Sequence, residues 1–372
     1  MDGQRRYVIW IVSLAAILPP TITNADKAAP PLVHEDKYTW QQKKSGKFIR
    51  LHQDATNADL EALSHDESIT SLRMGGMRSG AAGPYITDDG LRHIRKMRQL
   101  RALGLSGLNI TDDGLQHISG LSNLQHLDLA MTKVTGKGLE HLSRLEDLQE
   151  LHLDFLPITD ARAVHLKNLK KLKVLRFFNA PITDSGFANF QHMTDLENLQ
   201  IGRSLITDRS MPIIGTMTKL KTLDLRTKVT DNGLTHLRAL SGLTWLCLDE
   251  TVVGDKGMDH IGNLRNLEWL MLEGTKVTDE GIKKMDGLPK LNTLYASRTS
   301  LTDQAMDSIA TLKNLQRLKL NGTKITDRGL RKLRSLKRLT HLEIHNTNTS
   351  PQGINALKMA IPKIEIITRR NY

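Results

Sequence analysis

Apolar residues return along this chain on a 24-residue beat. In residues 110–133 they stand at Ile110, Leu115, Ile118, Leu121, Leu124, Leu127 and Leu129. Between Leu115 and Leu124 they recur every third residue, which predicts a short helix or tight helical turns. The alternation Leu127-Asp128-Leu129 predicts a short strand. Thr111 and Asp112 come just before the helical part, and their oxygens can accept from its first free N–H groups. Each unit therefore reads as a strand, a turn and a short helical segment.

The beat holds over most of the chain. The apolar residue that opens each unit falls at Ile86, Ile110, Val134, Ile158, Ile182, Ile206, Val229, Val253, Val277, Leu301 and Ile325. Every step is 24 residues except Ile206 to Val229, which is 23. Residues 110–115 read ITDDGL, 182–187 ITDSGF, 277–282 VTDEGI and 325–330 ITDRGL. A fixed period of this length predicts a solenoid. One unit alone cannot offset its ordering entropy, at about 1–2 kcal/mol per residue. Its few apolar side chains return roughly 1.5–3 kcal/mol each. Stability then needs neighbours to stack, with their strands side by side and parallel. About thirteen units at ~4.8 Å per strand give a sheet of about 60 Å. The copies beginning at Ala55 and at Thr349 are worn, as end-capping units are expected to be. The Gly/Ser/Ala-rich run at 79–84 predicts an exposed loop between the first copy and the regular array.

The pattern L-x-x-L-x-L-x-x-T-x-[IV], seen in Leu124, Leu127, Leu129, Thr132 and Val134, resembles the leucine-rich repeat. The TDxGL form is similar to bacterial proteins related to its cysteine-containing subfamily, and the resemblance covers residues 46–372. It implies an α/β, right-handed leucine-rich-repeat solenoid with a curved parallel sheet on the concave face and short helices on the convex face. The Asn or Cys usual after the strand is replaced by Thr132, Thr251, Thr275, Thr299, Thr323 and Thr347. Their hydroxyls are expected to bond the backbone of the neighbouring coil. Repeats of this kind also serve as adaptors behind F-box domains, but the segment ahead of these repeats has no F-box-like helical character.

Arg5 and Arg6 precede an apolar run at 7–18, and Thr23-Asn24-Ala25 offers a cut site. Residues 1–25 thus read as a signal peptide. Residues 26–45 read as a polar linker, and 46–372 as the repeat domain. These features predict an exported protein, periplasmic or secreted, and not an integral membrane protein once the signal is cut. Cys247 is the only cysteine, so no internal disulfide can form. The net charge is +12. Loss of residues 1–25, with Arg5, Arg6 and Asp2, leaves 50 basic and 39 acidic residues, or +11. This charge favours anionic surfaces such as an acidic protein, an envelope polymer or a glycan. Two basic clusters, Arg92 to Arg101 and Arg328 to Arg338, fall in helical and turn positions and read as a solvated face. They lack interleaved aromatics, which with export argues against nucleic acid.

No HExxH, GxSxG or P-loop is present. His93, His117, His141, His165, His236 and His260 occupy one structural slot copied six times. Individuality is expected where strand residues flank the core positions and face outward. Three patches result. The first is aromatic: Trp245, Trp269 and Tyr295, with Met271 and Cys247 between them and Asp224, Asp249 and Glu273 at the border. It reads as a partner-binding surface with an apolar centre and acidic rim. The alternative is cross-strand stacking that stiffens the sheet. The second is His126, Asp128, Glu150, His152 and Asp154, a possible metal set. The third is His341, Glu343 and His345. The reading of the whole is a non-enzymatic module without cofactor that recognises a protein partner through its concave face. The alternatives are a carbohydrate- or envelope-polymer-binding structural protein and, behind it, a metal-dependent hydrolase on the His126–Asp154 set.

Overall fold

The computed structural model describes residues 33–35, 38–43, 46–52, 54–74 and 86–369. The proposed signal peptide and the loop at 79–84 lie outside them. One sheet runs the length of the described chain in strictly sequential order. Its strands are β1 (Val33–Glu35), β2 (Tyr38–Lys43), β3 (Gly46–Leu51), β4 (Ile69–Arg73) and β5 (Ala102–Gly104). They continue as β6 (His126–Asp128), β7 (Glu150–His152), β8 (Val174–Arg176), β9 (Asn198–Gln200), β10 (Thr222–Asp224) and β11 (Trp245–Cys247). The last are β12 (Trp269–Met271), β13 (Thr293–Tyr295), β14 (Arg317–Lys319), β15 (His341–Glu343) and β16 (Glu365–Ile367).

From β3 to β16 the pairing is parallel, fourteen strands in an open sheet alternating with short α and 3₁₀ segments, an α/β solenoid. Before that, β1 pairs with β2 and β2 with β3 antiparallel. The linker expected over 26–45 therefore gives way, in its described part, to a hairpin that continues the sheet and covers its first parallel edge.

The middle residue of each short strand points into one continuous core, with Leu103, Leu127, Leu151, Leu175, Leu199 and Leu223 all buried. In-register pairing sets these leucines side by side and leaves the flanking residues in two rows on the other face. A residue at positive φ follows most strands, among them Phe155, Asn179, Arg203, Glu250 and Arg298. The 23-residue step omits this residue. After Leu225 and Arg226 the chain closes directly, and the Thr227 N–H donates to the Leu225 carbonyl at 2.6 Å.

The TDxG motif holds one coil to the next. Thr is the helix N-cap, as expected: the hydroxyls of Thr183 and Thr326 accept from the N–H groups of Ser185 and Arg328. Asp does something else. Asp255 Oδ1 accepts from the Thr278 N–H at 2.8 Å, and Oδ2 accepts from the Thr278 hydroxyl at 2.7 Å, one coil later. The same pair of bonds joins Asp88 to Thr111, Asp184 to Thr207, Asp279 to Thr302 and Asp303 to Thr326. The motif glycine makes room for this carboxylate. A Cβ on Gly257 would stand 2.7 Å from Asp231 Oδ1, and one on Gly138 would stand 2.9 Å from Asp112 Oδ1. One coil reverses both choices. Gly136 takes the Asp place, Arg162 takes the Gly place above it, and the Arg162 stem lies 3.3 Å from where a Gly136 Cβ would be.

The threonines after the strands do not form the expected ladder. The hydroxyls of Thr132, Thr251, Thr275, Thr299, Thr323 and Thr347 donate to the carbonyl three residues back in their own coil. The tight turn after the strand brings that carbonyl nearer than any on the next coil.

Burial raises the pKa of Asp112 and Asp184, but the hydroxyl and N–H donors of the next coil outweigh it, and both carboxyls sit below the ordinary aspartate value. A depressed folded-state pKa contributes stability that is complete above the unfolded value of about 4 and is lost as pH falls through the folded one. The melting temperature is therefore expected to drop steeply below about pH 4, and Asp184→Asn should flatten that drop. A melt series from neutral to acid pH checks it; equal slopes for both proteins would reject the ladder as an acid-sensitive element.

Candidate functional site

Parallel register fixes which side chains meet on the sheet's outer face. Trp245 pairs with Trp269 and Cys247 with Met271; Met271 in turn pairs with Tyr295. Thr222 and Asp224 precede them on β10, and Lys319 follows on β14. A third row runs just beyond the strands: Arg226, Asp249, Glu273 and Ser297.

The structure brings the sequence-predicted aromatic residues together, but it does not leave them open. Trp245, Cys247, Met271 and Tyr295 form a second apolar cluster, separate from the core, with Trp269 packed against it. Trp245, Met271 and Tyr295 are each 3% exposed, and only Trp269 is half-buried. Side chains from coils so closely stacked cover one another. The expectation of a broad exposed aromatic patch is thus corrected to a small core with one ring at its surface.

The border is charged and largely buried. Asp224 is engaged through Nε and Nη2 of Arg226. Burial works against the Arg226 guanidinium; the Asp224 carboxylate outweighs it and raises its pKa. Arg226 also lies over the Phe178 ring, 4.8 Å from its centroid, and Lys319 over Tyr295 at 4.4 Å. Asp249 Oδ1 accepts from the Glu273 N–H at 2.7 Å. Burial, and then repulsion from Glu273, push the Asp249 pKa up to about 7. Burial holds the Cys247 thiol well above its ordinary pKa, so it is a neutral, unreactive core group. Arg298 bonds Glu250 two coils away and approaches Glu273 at 3.7 Å. Glycine at 274, between them, leaves the way clear: a Cβ there would stand 2.9 Å from a Glu250 carboxylate oxygen. The indole N–H of Trp245 and the Ser297 hydroxyl are buried with no partner among the described residues.

The sequence reading missed Arg226 and Arg298. The signal for Arg226 lay in its place two residues after Asp224, the place of Asp249 after Cys247, which sets an acid and a base on one face of one coil. Nothing in the periodicity pointed to Arg298.

The other two candidate sets resolve into ion pairs. His126 Nδ1 stands 3.1 Å from Glu150, and Arg176 takes Asp154 at 2.9 Å. His341 faces Glu365 at 3.2 Å, and Glu343 is held by Lys319 at 3.0 Å and by Asn321. Among the described residues no group of three or more His, Cys, Asp or Glu is arranged to hold a metal ion. On the helical side, Arg95, Lys96 and Arg98 line a shallow hollow with Gln116 and Ser119. No helix among the described residues is long and apolar enough to cross a membrane.

A sequence model of the family described as "Leucine Rich repeat" matches residues 120–143 and 311–333. No curated protein matches the chain in sequence. Among solved structures, an internalin (inlF) from Listeria monocytogenes is 21% identical, with a TM-score of 0.61, over 86% of this chain and 90% of that one. A TDR receptor is 14% identical, with a TM-score of 0.51, over 83% of this chain and 60% of its own. At these identities the likeness is one of fold. The chain carries leucine-rich repeats and folds as a leucine-rich-repeat solenoid.

Proposed function

We propose that this leucine-rich-repeat solenoid is an exported, non-enzymatic binding module of the TDxGL type. It recognises a protein partner through the outer, concave face of its sheet, around Trp269. The cluster formed by Trp245, Cys247, Met271 and Tyr295 carries the reading. Folding the solenoid does not require a second apolar cluster outside the core, and this one supports a single half-exposed indole, with the charged row of Asp249, Glu273 and Arg298 on the other side of Met271. A rigid aromatic anchor with a charged rim is the arrangement of an interface hot spot. The buried residues beneath act by holding Trp269 in place, which limits the entropy lost on binding.

The test is capture of a partner from envelope and secreted fractions by the purified protein, beside Trp269→Ala and Glu273→Arg. Trp245→Ala is a poor probe, because emptying a buried indole site costs about 3–5 kcal/mol and confuses lost binding with lost folding. Trp269→Ala is expected to leave the thermal melt nearly unchanged and to weaken capture about 30-fold, in line with ~2 kcal/mol for an anchor residue. Equal capture by parent and both variants would move recognition to the helical side.

A further inference from the structure

A hollow of about 200 Å³ lies near the first coils of the sheet, on the same outer face but six strands from the aromatic cluster. β5 is the cause. Its two outward residues are Ala102 and Gly104, so the floor drops between the taller side chains of β4 and those of β6 and β7. Gly104 also lets Arg73 cross: a Cβ at 104 would lie 3.2 Å from Arg73 Cγ, so the arginine stem already runs over the glycine. Arg73 is exposed, and its side chain makes no ion pair or hydrogen bond with any described residue. The opposite wall carries Asp128 and Glu150. Glu150 faces His126 at 3.1 Å, and the bond from that imidazole keeps its pKa below the ordinary glutamate value. Burial raises Asp128, but His152, 3.9 Å away, and the Ala130 N–H outweigh it and keep it ionised.

A cation with no counter-ion among the described residues therefore stands across a small floor from two carboxylates. A simple anion would meet repulsion from Asp128 and Glu150. A simple cation would leave Arg73 unpaired. We propose that this hollow binds a small dipolar ligand, a free α-amino acid or a dipeptide, with its carboxylate on Arg73 and its ammonium group between Asp128 and Glu150. Guanidinium and carboxylate match in a planar two-bond geometry, and the ammonium donors match the acid wall. The inference is independent of the protein-partner reading, since it uses none of the residues around Trp269.

The test is calorimetric titration of the full-length protein with the free proteinogenic amino acids and a set of dipeptides, each beside its N-acetyl and methyl-ester forms. At least one dipolar ligand is expected to bind with sub-millimolar affinity. Blocking either charge should weaken it by about tenfold or more, as should Arg73→Gln or Asp128→Asn with unchanged melts. No binding of any dipolar ligand at about 10 mM to the folded parent would overturn the proposal. So would binding that survives either capping or Arg73→Gln.

Discussion

Asp255→Ala is expected to destabilise the protein by about 3 kcal/mol. The carboxylate takes two charge-assisted bonds, from the N–H and the hydroxyl of Thr278, and such bonds contribute roughly 1.5–3 kcal/mol each where water is kept away. Thr278 is half-buried, so water recovers part of the loss and the lower half of that range applies. Gly281 lies directly above: a Cβ there would collide with Asp255 Oδ1 and stand 3.0 Å from Met258 Cγ and Val277 Cγ1. Alanine at the corresponding place, Ala305, is accommodated while Asp279 keeps both bonds to Thr302. A branched side chain has no such latitude, and Gly281→Val should cost about 2–3 kcal/mol by overpacking. The double variant Asp255→Ala/Gly281→Val should lose at least ~1 kcal/mol less than the sum, because the carboxylate displaced by valine is already gone. Equilibrium unfolding in guanidinium of the four proteins measures this. Strict additivity would mean that the carboxylate and the glycine do not share one space, and that the Gly136–Arg162 coil reflects no such coupling.

That coupling shows how far the sequence could be read. The period, the core positions, the parallel strands, the Thr caps and the single short step all follow from where apolar and capping residues recur, because those roles are met within one coil. The partner of Asp is not in its own coil. Repetition of TD shows only that both residues are needed. The readable trace was a joint exception: Gly136 abandons the Asp place, and 26 residues on Arg162 abandons the Gly place, the same separation as the bond from the Gly138 N–H to Asp112. The outer face was legible in register and not in exposure. Placing Trp245 beside Trp269 needs only the period. Burying Trp245 while half-exposing Trp269 depends on how rings, Met271 and Tyr295 fill the space between rows, which is a matter of side-chain volume across three coils. The hollow at Gly104 was missed because the sequence reading sought large or charged residues, whereas the determining feature is a small one.

Asp249→Asn should stabilise the protein by about 2–4 kcal/mol at pH 8 and by almost nothing at pH 4. The folded-state pKa of Asp249 is raised to about 7 by burial and by Glu273, whereas an unfolded aspartate titrates near 3.9. The folded chain therefore holds a proton that the unfolded chain has released across that window. Stability from this group is complete below about pH 4 and declines as pH rises to about 7. Three units correspond to about 4 kcal/mol, at 1.36 kcal/mol each, and local relaxation reduces the figure. Asparagine keeps an Oδ1 to accept the Glu273 N–H at the same place and removes the charge. Denaturant unfolding of parent and variant at both pH values decides it; an equal difference at pH 4 and pH 8 would show that the charge is not what the site opposes. The consequence reaches function. Two carboxylates pressed together at the border of the cluster that holds Trp269 work against the fold at neutral pH, and the coil-to-coil bond that Asp249 accepts from the Glu273 N–H needs only an amide oxygen. A variant that is more stable at pH 8 yet captures less partner would place Asp249 and Glu273 in recognition, with a cationic group of the partner as the element that relieves their repulsion.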